Sequence, residues 1–502
     1  MAHTDDRHLP PAMRRLLSEL AALLSSCGVE AYATGGFIRD ALLGVDTDDL
    51  DISVRADPMK LGLELADAFG GNCFPLDADR GHVRVLIPQY DVHLDLRPLT
   101  GSLEEDLLAR DYTVDAMAAP LPKVAAGSAE LTDPAGGLDD LRKRTIRLVS
   151  EGALVKDPLR LLRAVRLAVQ LDFEIETATG DAIRRHATSL PEVAAERQRD
   201  ELILMLRTDR AARALRLLDD LELLDRLLPE AAVMRDVEQP KEHTWNVFGH
   251  SLAAVEALDM MLAEAAPAPE PVASLWRELW TQLEWWDGRR DYFREQIVPN
   301  APRGAIVKLA GFLHDVGKPQ TKSFEEGGRM RFFGHANAGA GIAARAMRRL
   351  RFSSREVKLV RAMIEAHLRP LQMAQQGAPT RKAVYRFFRD TGGAGIDTLF
   401  LSLADHLGTV GPRVNLDGWR QHVALVSYVI QKRLDGGGEV VEPPKLIAGE
   451  EIMDALGVPP GPLLGELLEA VREAQATGEV TTVEEGIALA RRHIEGTATP
   501  AS

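Results

Sequence analysis

Thr34-Gly35-Gly36-Phe37-Ile38-Arg39-Asp40-Ala41-Leu42-Leu43-Gly44, followed four residues later by Asp49-Leu50-Asp51, decides how the first part of this 502-residue chain is read. Glu30 to Thr34 reads as a short strand, Gly35-Gly36 as a turn, Phe37 to Leu43 as a helix closed by Gly44, and Asp49 to Val54 as a second strand. In a strand, residues i and i+2 share a face, so Asp49 and Asp51 present two carboxylates with Cα atoms roughly 6.6 Å apart. Such a pair suits two divalent ions about 3.5–4 Å apart that support in-line displacement at phosphorus. The glycine turn lets backbone N–H groups approach phosphate oxygens at a helix start. An acidic pair alone is more often solvated surface; its coupling to Gly-Gly and Arg39-Asp40 is what makes it a site.

The string resembles the head signature of the class II tRNA nucleotidyltransferase and bacterial poly(A) polymerase family, with Ile38 in place of the usual Val. The resemblance implies that Asp49 and Asp51 are catalytic and hold Mg2+, while Gly35, Gly36, Arg39 and Asp40 organise the nucleotide. Asp95, in the strand-like Val92–Arg97, is the candidate third acid. Ala109 to Ala118 resembles the next family segment, with Ala109 for Arg, Tyr112 for Phe and Asp115 for Asn; Arg110 and Asp111 match and are implied to contact the nucleotide.

Composition agrees with a chain of three or four mostly helical domains: 45% of residues are hydrophobic and 5% aromatic. Two cysteines, Cys27 and Cys73, exclude a disulfide scaffold and a Cys-based zinc cluster, and fit a reducing cytoplasm. The leucines between Leu16 and Leu24 follow a helical period broken by polar residues, and no apolar run reaches the roughly 18 residues of a membrane span, so a soluble protein is expected. The net charge of −15 argues at first sight against nucleic-acid binding, since phosphate contacts depend on Lys and Arg. Basic clusters at Arg142–Arg147, at Arg160, Arg163 and Arg166, and at Arg381, Lys382, Arg386 and Arg389 nevertheless permit an RNA partner.

Lys156-Asp157-Pro158-Leu159-Arg160 opens the second unit, with Asp157 expected as a helix N-cap, Pro158 as the first helical residue and Arg160, Arg163 and Arg166 as a polar stripe. A carboxylate only accepts and a guanidinium only donates, so an Asp–Arg pair matches the amine and ring nitrogen shared by cytosine and adenine. The family carries Glu-Asp-x-x-Arg here with that role, which falls on Asp157 and Arg160; Lys156 departs from the Glu. Arg163 is included among the nucleotide-binding residues. The segment Ala195–Leu202 resembles the family helix that braces the base-reading helix.

His250, His314-Asp315 and Asp405, in that order, resemble the HD phosphohydrolase superfamily, whose imidazole and carboxylate donors suit a transition metal such as Mn2+ or Ni2+. His335 and His367 fall where binuclear members carry extra ligands. Trp276 and Trp280 have helical spacing and are expected in a small hydrophobic core or an interface. Leu434–Gly438 and Pro443-Pro444 read as a linker before a tail.

The resemblance thus implies an α+β protein: a polymerase β-like sheet domain over 1–142, a helical RNA-binding neck over 143–240, an HD metal-binding domain over 241–432 and a helical tail over 433–502. It implies CMP and AMP transfer from CTP and ATP to the 3′ end of tRNA. Poly(A) synthesis, CC-only or A-only addition, and an HD phosphohydrolase using the head as an RNA-binding module are the alternatives.

Overall fold

The computed structural model describes residues 9–497, apart from 79, 129, 242, 268–269, 376 and 436–442. The chain divides into two compact units, residues 1–201 with 217–226, and residues 202–216 with 227–502. The span expected as a neck, 143–240, contributes to both.

The first unit is built on a six-stranded sheet of order β3-β4-β5-β2-β1-β6. Its strands are β1 (Ala31–Thr34), β2 (Asp49–Val54), β3 (Asn72–Asp77), β4 (His82–Ile87), β5 (Val92–Pro98) and β6 (Ala118–Pro120). Alternation explains the central pair: Leu50, Ile52, Leu94 and Leu96 are fully buried, while Asp49, Asp51 and Asp95 occupy the other face. β2 and β5 run parallel with Asp49 opposite His93 and Asp51 opposite Asp95. Helix α1 (Pro11–Ser26) buries Leu16, Leu17, Leu20 and Leu24, as its period requires.

Helix α2 begins at Gly35 and ends at Leu43, capped by Gly44 in the left-handed region at φ 68°. The turn chemistry is as expected, but the helix takes in both glycines. A second expectation is corrected: Asp157 does not cap the helix from position N-cap. Residues 157–159 form a turn, the helix runs Arg160–Leu171, and the Asp157 carboxylate accepts from Leu159 N–H at 3.3 Å. The short helix Gly152–Lys156 ends immediately before, which leaves Asp157 extended at the bend.

The second unit is helical. Helices Val247–Leu262, Arg303–Leu313, His335–Arg349, Ser354–Ala366 and Gly395–Val410 pack together with nearly apolar inner surfaces. Trp276 and Trp280 lie on the helix Val272–Gln282, 6.5 Å apart edge to face, with Trp280 against Phe400. Both are half-buried beside the buried Ala273, Leu275 and Leu279 of the same helix. The linker expected at 434–438 lies mostly outside the described residues. The tail has its own core of Ile447, Ile452, Val458, Leu467 and Val471. Among the described residues no helix is long and apolar enough to cross a membrane.

Candidate active site and metal centre

In the first unit, Gly35, Gly36, Asp51, Arg110, Asp111, Asp115, Asp157, Arg160 and Arg163 line one cleft of about 180 Å³. The sequence therefore named most of the lining, from segments more than 100 positions apart. Gly35 sits at φ 64°, and a Cβ there would stand 2.9 Å from an Asp51 oxygen and 3.0 Å from Arg110. Only glycine lets the turn pass between the acid and the guanidinium. The Gly36 N–H donates to Asp51 Oδ2 at 3.1 Å, so the turn also aims the carboxylate.

Asp49 is half-exposed beside Arg84 and His93. Burial, and then the neighbouring Asp95, Asp48 and Asp51, raise its carboxyl against the pull of Arg84. Asp95 lies beside Asp51 on the same sheet face, but Arg84 grips it with both nitrogens at 2.6 and 2.8 Å. Asp51 also faces Arg97 at 3.4 Å. A crowd of carboxylates whose charge is only partly matched by arginines fits a divalent cation at Asp49 and Asp51, with Asp95 held back by Arg84.

Arg39 donates to both oxygens of Asp40, at 2.8 and 2.9 Å, and to Asp115 Oδ1 at 2.5 Å. Asp115, which is 2% exposed, also accepts from Arg163 at 3.1 Å. Burial alone would raise its pKa; Arg39 and Arg163 overcome that and hold it at about 2. Arg163 in turn pairs with Asp111 at 3.0 Å, and Asp111 accepts from Tyr112 N–H. Arg110 is buried and braced by Ser53, Asp106 and the Asp115 carbonyl. Asp115, the residue standing where the family has Asn, thus joins the Arg39–Asp40 pair to the Arg163–Asp111 pair.

Asp157 pairs with Arg197 at 2.9 Å and Arg80 at 3.4 Å, while Arg160 donates to the Ala153 carbonyl at 3.3 Å. Sequence reasoning missed Arg80, His82, Arg97, Arg197 and Glu201 in the cleft lining. Arg97 was findable, since it stands two residues from Asp95 on one strand; the others need the fold. The basic clusters are largely neutralised: Lys143 by Asp139, Arg147 by Asp140, Arg166 by Glu201, Lys382 and Arg386 by Glu473, and Arg389 by Asp390 and Glu469.

In the second unit, all six expected ligands converge. His250, His314 and Asp405 form one group and Asp315, His335 and His367 another, each with ligand atoms within 4.8 Å of one another. The Nδ1 atoms of His314, His335 and His367 lie 2.7–2.8 Å from the carbonyls of Gly311, Phe332 and Ile364. Donation there leaves each Nε2 lone pair turned inward, the tautomer a metal needs. Asp315 is fully buried, with Lys318 Nζ at 2.6 Å and the Nε2 atoms of His250, His314 and His335 at 3.2, 3.3 and 3.4 Å. Buried carboxylate oxygens of this kind are satisfied by a cation, so the residues fit one metal and offer donors for two.

A mixed sheet with an acid pair beside a glycine turn, backed by a helical region, defines a nucleotidyltransferase of the polymerase type. The family profile "Poly A polymerase head domain" matches residues 31–99 and 88–147, the "Probable RNA and SrmB- binding site of polymerase A" matches 172–234, and the "HD domain" matches 271–409. His250 lies upstream of that last match but is geometrically part of the site. The A-adding tRNA nucleotidyltransferase of Deinococcus radiodurans is 35% identical, over 93% of this chain and 96% of its own. The CC-adding enzyme of Thermus thermophilus is 37% identical, over 92% and 93%. A solved Thermotoga maritima CCA-adding enzyme complexed with tRNA has a TM-score of 0.58 at 17% identity, covering 98% of this chain and 99% of that one. The chain belongs to the tRNA nucleotidyltransferase family, and it is an enzyme of the nucleotidyl-transfer class.

Proposed function

We propose that this protein transfers CMP and AMP from CTP and ATP to the 3′ end of tRNA in the cytoplasm, completing or repairing CCA. The observation that carries the reading is the single cleft in which Gly35, Gly36 and Asp51 face Asp157 and Arg160. Asp49 and Asp51 hold Mg2+, which supplies activation of the ribose hydroxyl and charge neutralisation at the leaving pyrophosphate. Gly35 and Gly36 admit the phosphates, Arg39, Asp40, Arg110, Asp111 and Arg163 orient the nucleotide, and Asp157 with Arg160 reads the base. The proteins named above are an A-adding, a CC-adding and a CCA-adding enzyme, so the extent of addition is the point to test. Purified protein is given tRNAs ending before CCA, after CC, or complete, with each NTP singly and Mg2+; incorporation of C then A supports the proposal. Absence of incorporation into any acceptor defeats it, and addition of one base alone redefines the product.

A second activity is favoured by the six converging ligands. With Mn2+ or Ni2+ held by His250, His314, Asp315 and Asp405, and a second ion by Asp315, His335 and His367, the HD site would hydrolyse phosphate esters at RNA ends. Asp49→Ala should abolish nucleotide addition and spare hydrolysis, and His314→Ala the reverse. Loss of both activities in either variant would contradict separate sites.

A further inference from the structure

Between the ligands Asp315 and His335 the chain makes a small hairpin, Ser323–Phe324 paired antiparallel with Met330–Arg331. It carries Phe324 at 64% exposure and Phe333 at 71%, the two most exposed phenylalanine or tryptophan rings among the described residues. Neither ring is buried in a core, yet each has a cation near its face: Lys322 lies 5.9 Å from the Phe324 centroid and Arg331 5.8 Å from that of Phe333. A third pair, Lys318 at 5.5 Å over Phe332, lies closer to the ligands, because Lys318 also contacts Asp315. The segment from Lys318 to Arg331 has four basic residues against two acidic ones in a chain of net charge −15. Glu325 pairs with Arg331 at 3.0 Å, and Lys322 has no carboxylate partner among the described residues.

We infer that this hairpin is a stacking platform for single-stranded RNA, presenting a terminal phosphate to the six-ligand site. The inference rests on the HD phosphohydrolase reading and names its binding element. Aromatic faces accept any base, and adjacent cations follow the backbone phosphates, so the pattern suits an unpaired RNA end better than a duplex. The hairpin arm is tied to the site by chemistry as well as by sequence: the Phe332 carbonyl fixes the His335 ring, and Phe333 follows at once.

The test uses the full chain loaded with Mn2+ or Ni2+, as wild type, Phe324→Ala, Phe333→Ala and the double variant, each with its metal content measured. Substrates are a short RNA ending in a 2′,3′-cyclic phosphate and glycerol phosphate, which has no base. The double variant should raise KM for the RNA about 10-fold or more with kcat within about twofold, stacking of one base being worth a 5- to 150-fold change. Hydrolysis of glycerol phosphate should hold within about twofold at equal metal content. Unchanged KM for RNA overturns the platform and points to a protein-docking hairpin, as does an equal loss on both substrates. If no variant hydrolyses either substrate the HD reading fails, and binding of fluorescent RNA decides the platform alone: weaker binding by the double variant sustains it, and equal binding overturns it.

Discussion

Removing the charge of Asp115 offers the sharpest test of how the cleft is held. The carboxylate bridges Arg39 at 2.5 Å and Arg163 at 3.1 Å. Its fall from the ordinary 3.8 to about 2 corresponds to roughly 2–3 kcal/mol of differential interaction with the charged form. Asp115→Asn should therefore cost about 2 kcal/mol, and Asp115→Ala somewhat more, because it also removes the acceptor atoms between Arg39 and Arg163, which keep Asp40 and Asp111 as their remaining partners. The pH dependence has a definite sign. A depressed carboxyl pKa stabilises the fold above the unfolded value near 3.8, and that stability is lost as pH falls toward about 2. Urea unfolding of the parent and Asp115→Asn from pH 7 down to pH 3 should show a gap that is constant above about pH 5 and roughly halved at pH 3. With Arg39 and Arg163 no longer bridged to each other, KM for the nucleotide should rise several-fold more than kcat falls. A gap under about 0.5 kcal/mol at pH 7, or one that widens on acidification, would refute the bridge.

Three other outcomes follow from the same geometry. Gly35→Ala must fit a Cβ 2.9 Å from Asp51 and hold φ 64°, so nucleotide addition should fall at least about 100-fold while circular dichroism stays native; steady-state kinetics decide. Arg197→Ala frees Asp157 from its 2.9 Å partner, and single-NTP incorporation should show discrimination of C and A over U and G relaxed by about 10-fold, with total addition less affected. Glu473, held at about 2 chiefly by Arg386 and despite burial, ties the tail to the helix Arg381–Thr391; Glu473→Ala should speed hydrogen exchange in 446–497, and the effect should be smaller at 1 M salt, where the tie in the parent is already screened.

Much of the site was legible because its signals are local. Gly35-Gly36 demands a turn, Gly44 closes a helix, and Asp49-Leu50-Asp51 alternates about a buried Leu50, so neighbours along the chain define the lip of the cleft. The HD ligands were readable only as a set: His250, His314-Asp315 and Asp405 in that order resemble a known superfamily, whereas any one of them alone would not point to a metal. Asp157 shows the limit, since capping preference placed a helix start there and the bend beside the preceding short helix displaced it to Arg160.

The sequence by itself determined the strand-turn-helix carrying the acids, because short-range periodicity is written in consecutive residues, and the resemblance of its motifs to known families pointed to the reaction class and to the candidate metal ligands. Tertiary structure alone decided which charges remain free. Asp115 meets Arg39 from 76 positions away, Asp157 meets Arg197 from 40, and most of the basic clusters are spent on acids of the same chain. Whether a charge is buried and paired depends on what packs against it, and no local pattern records that.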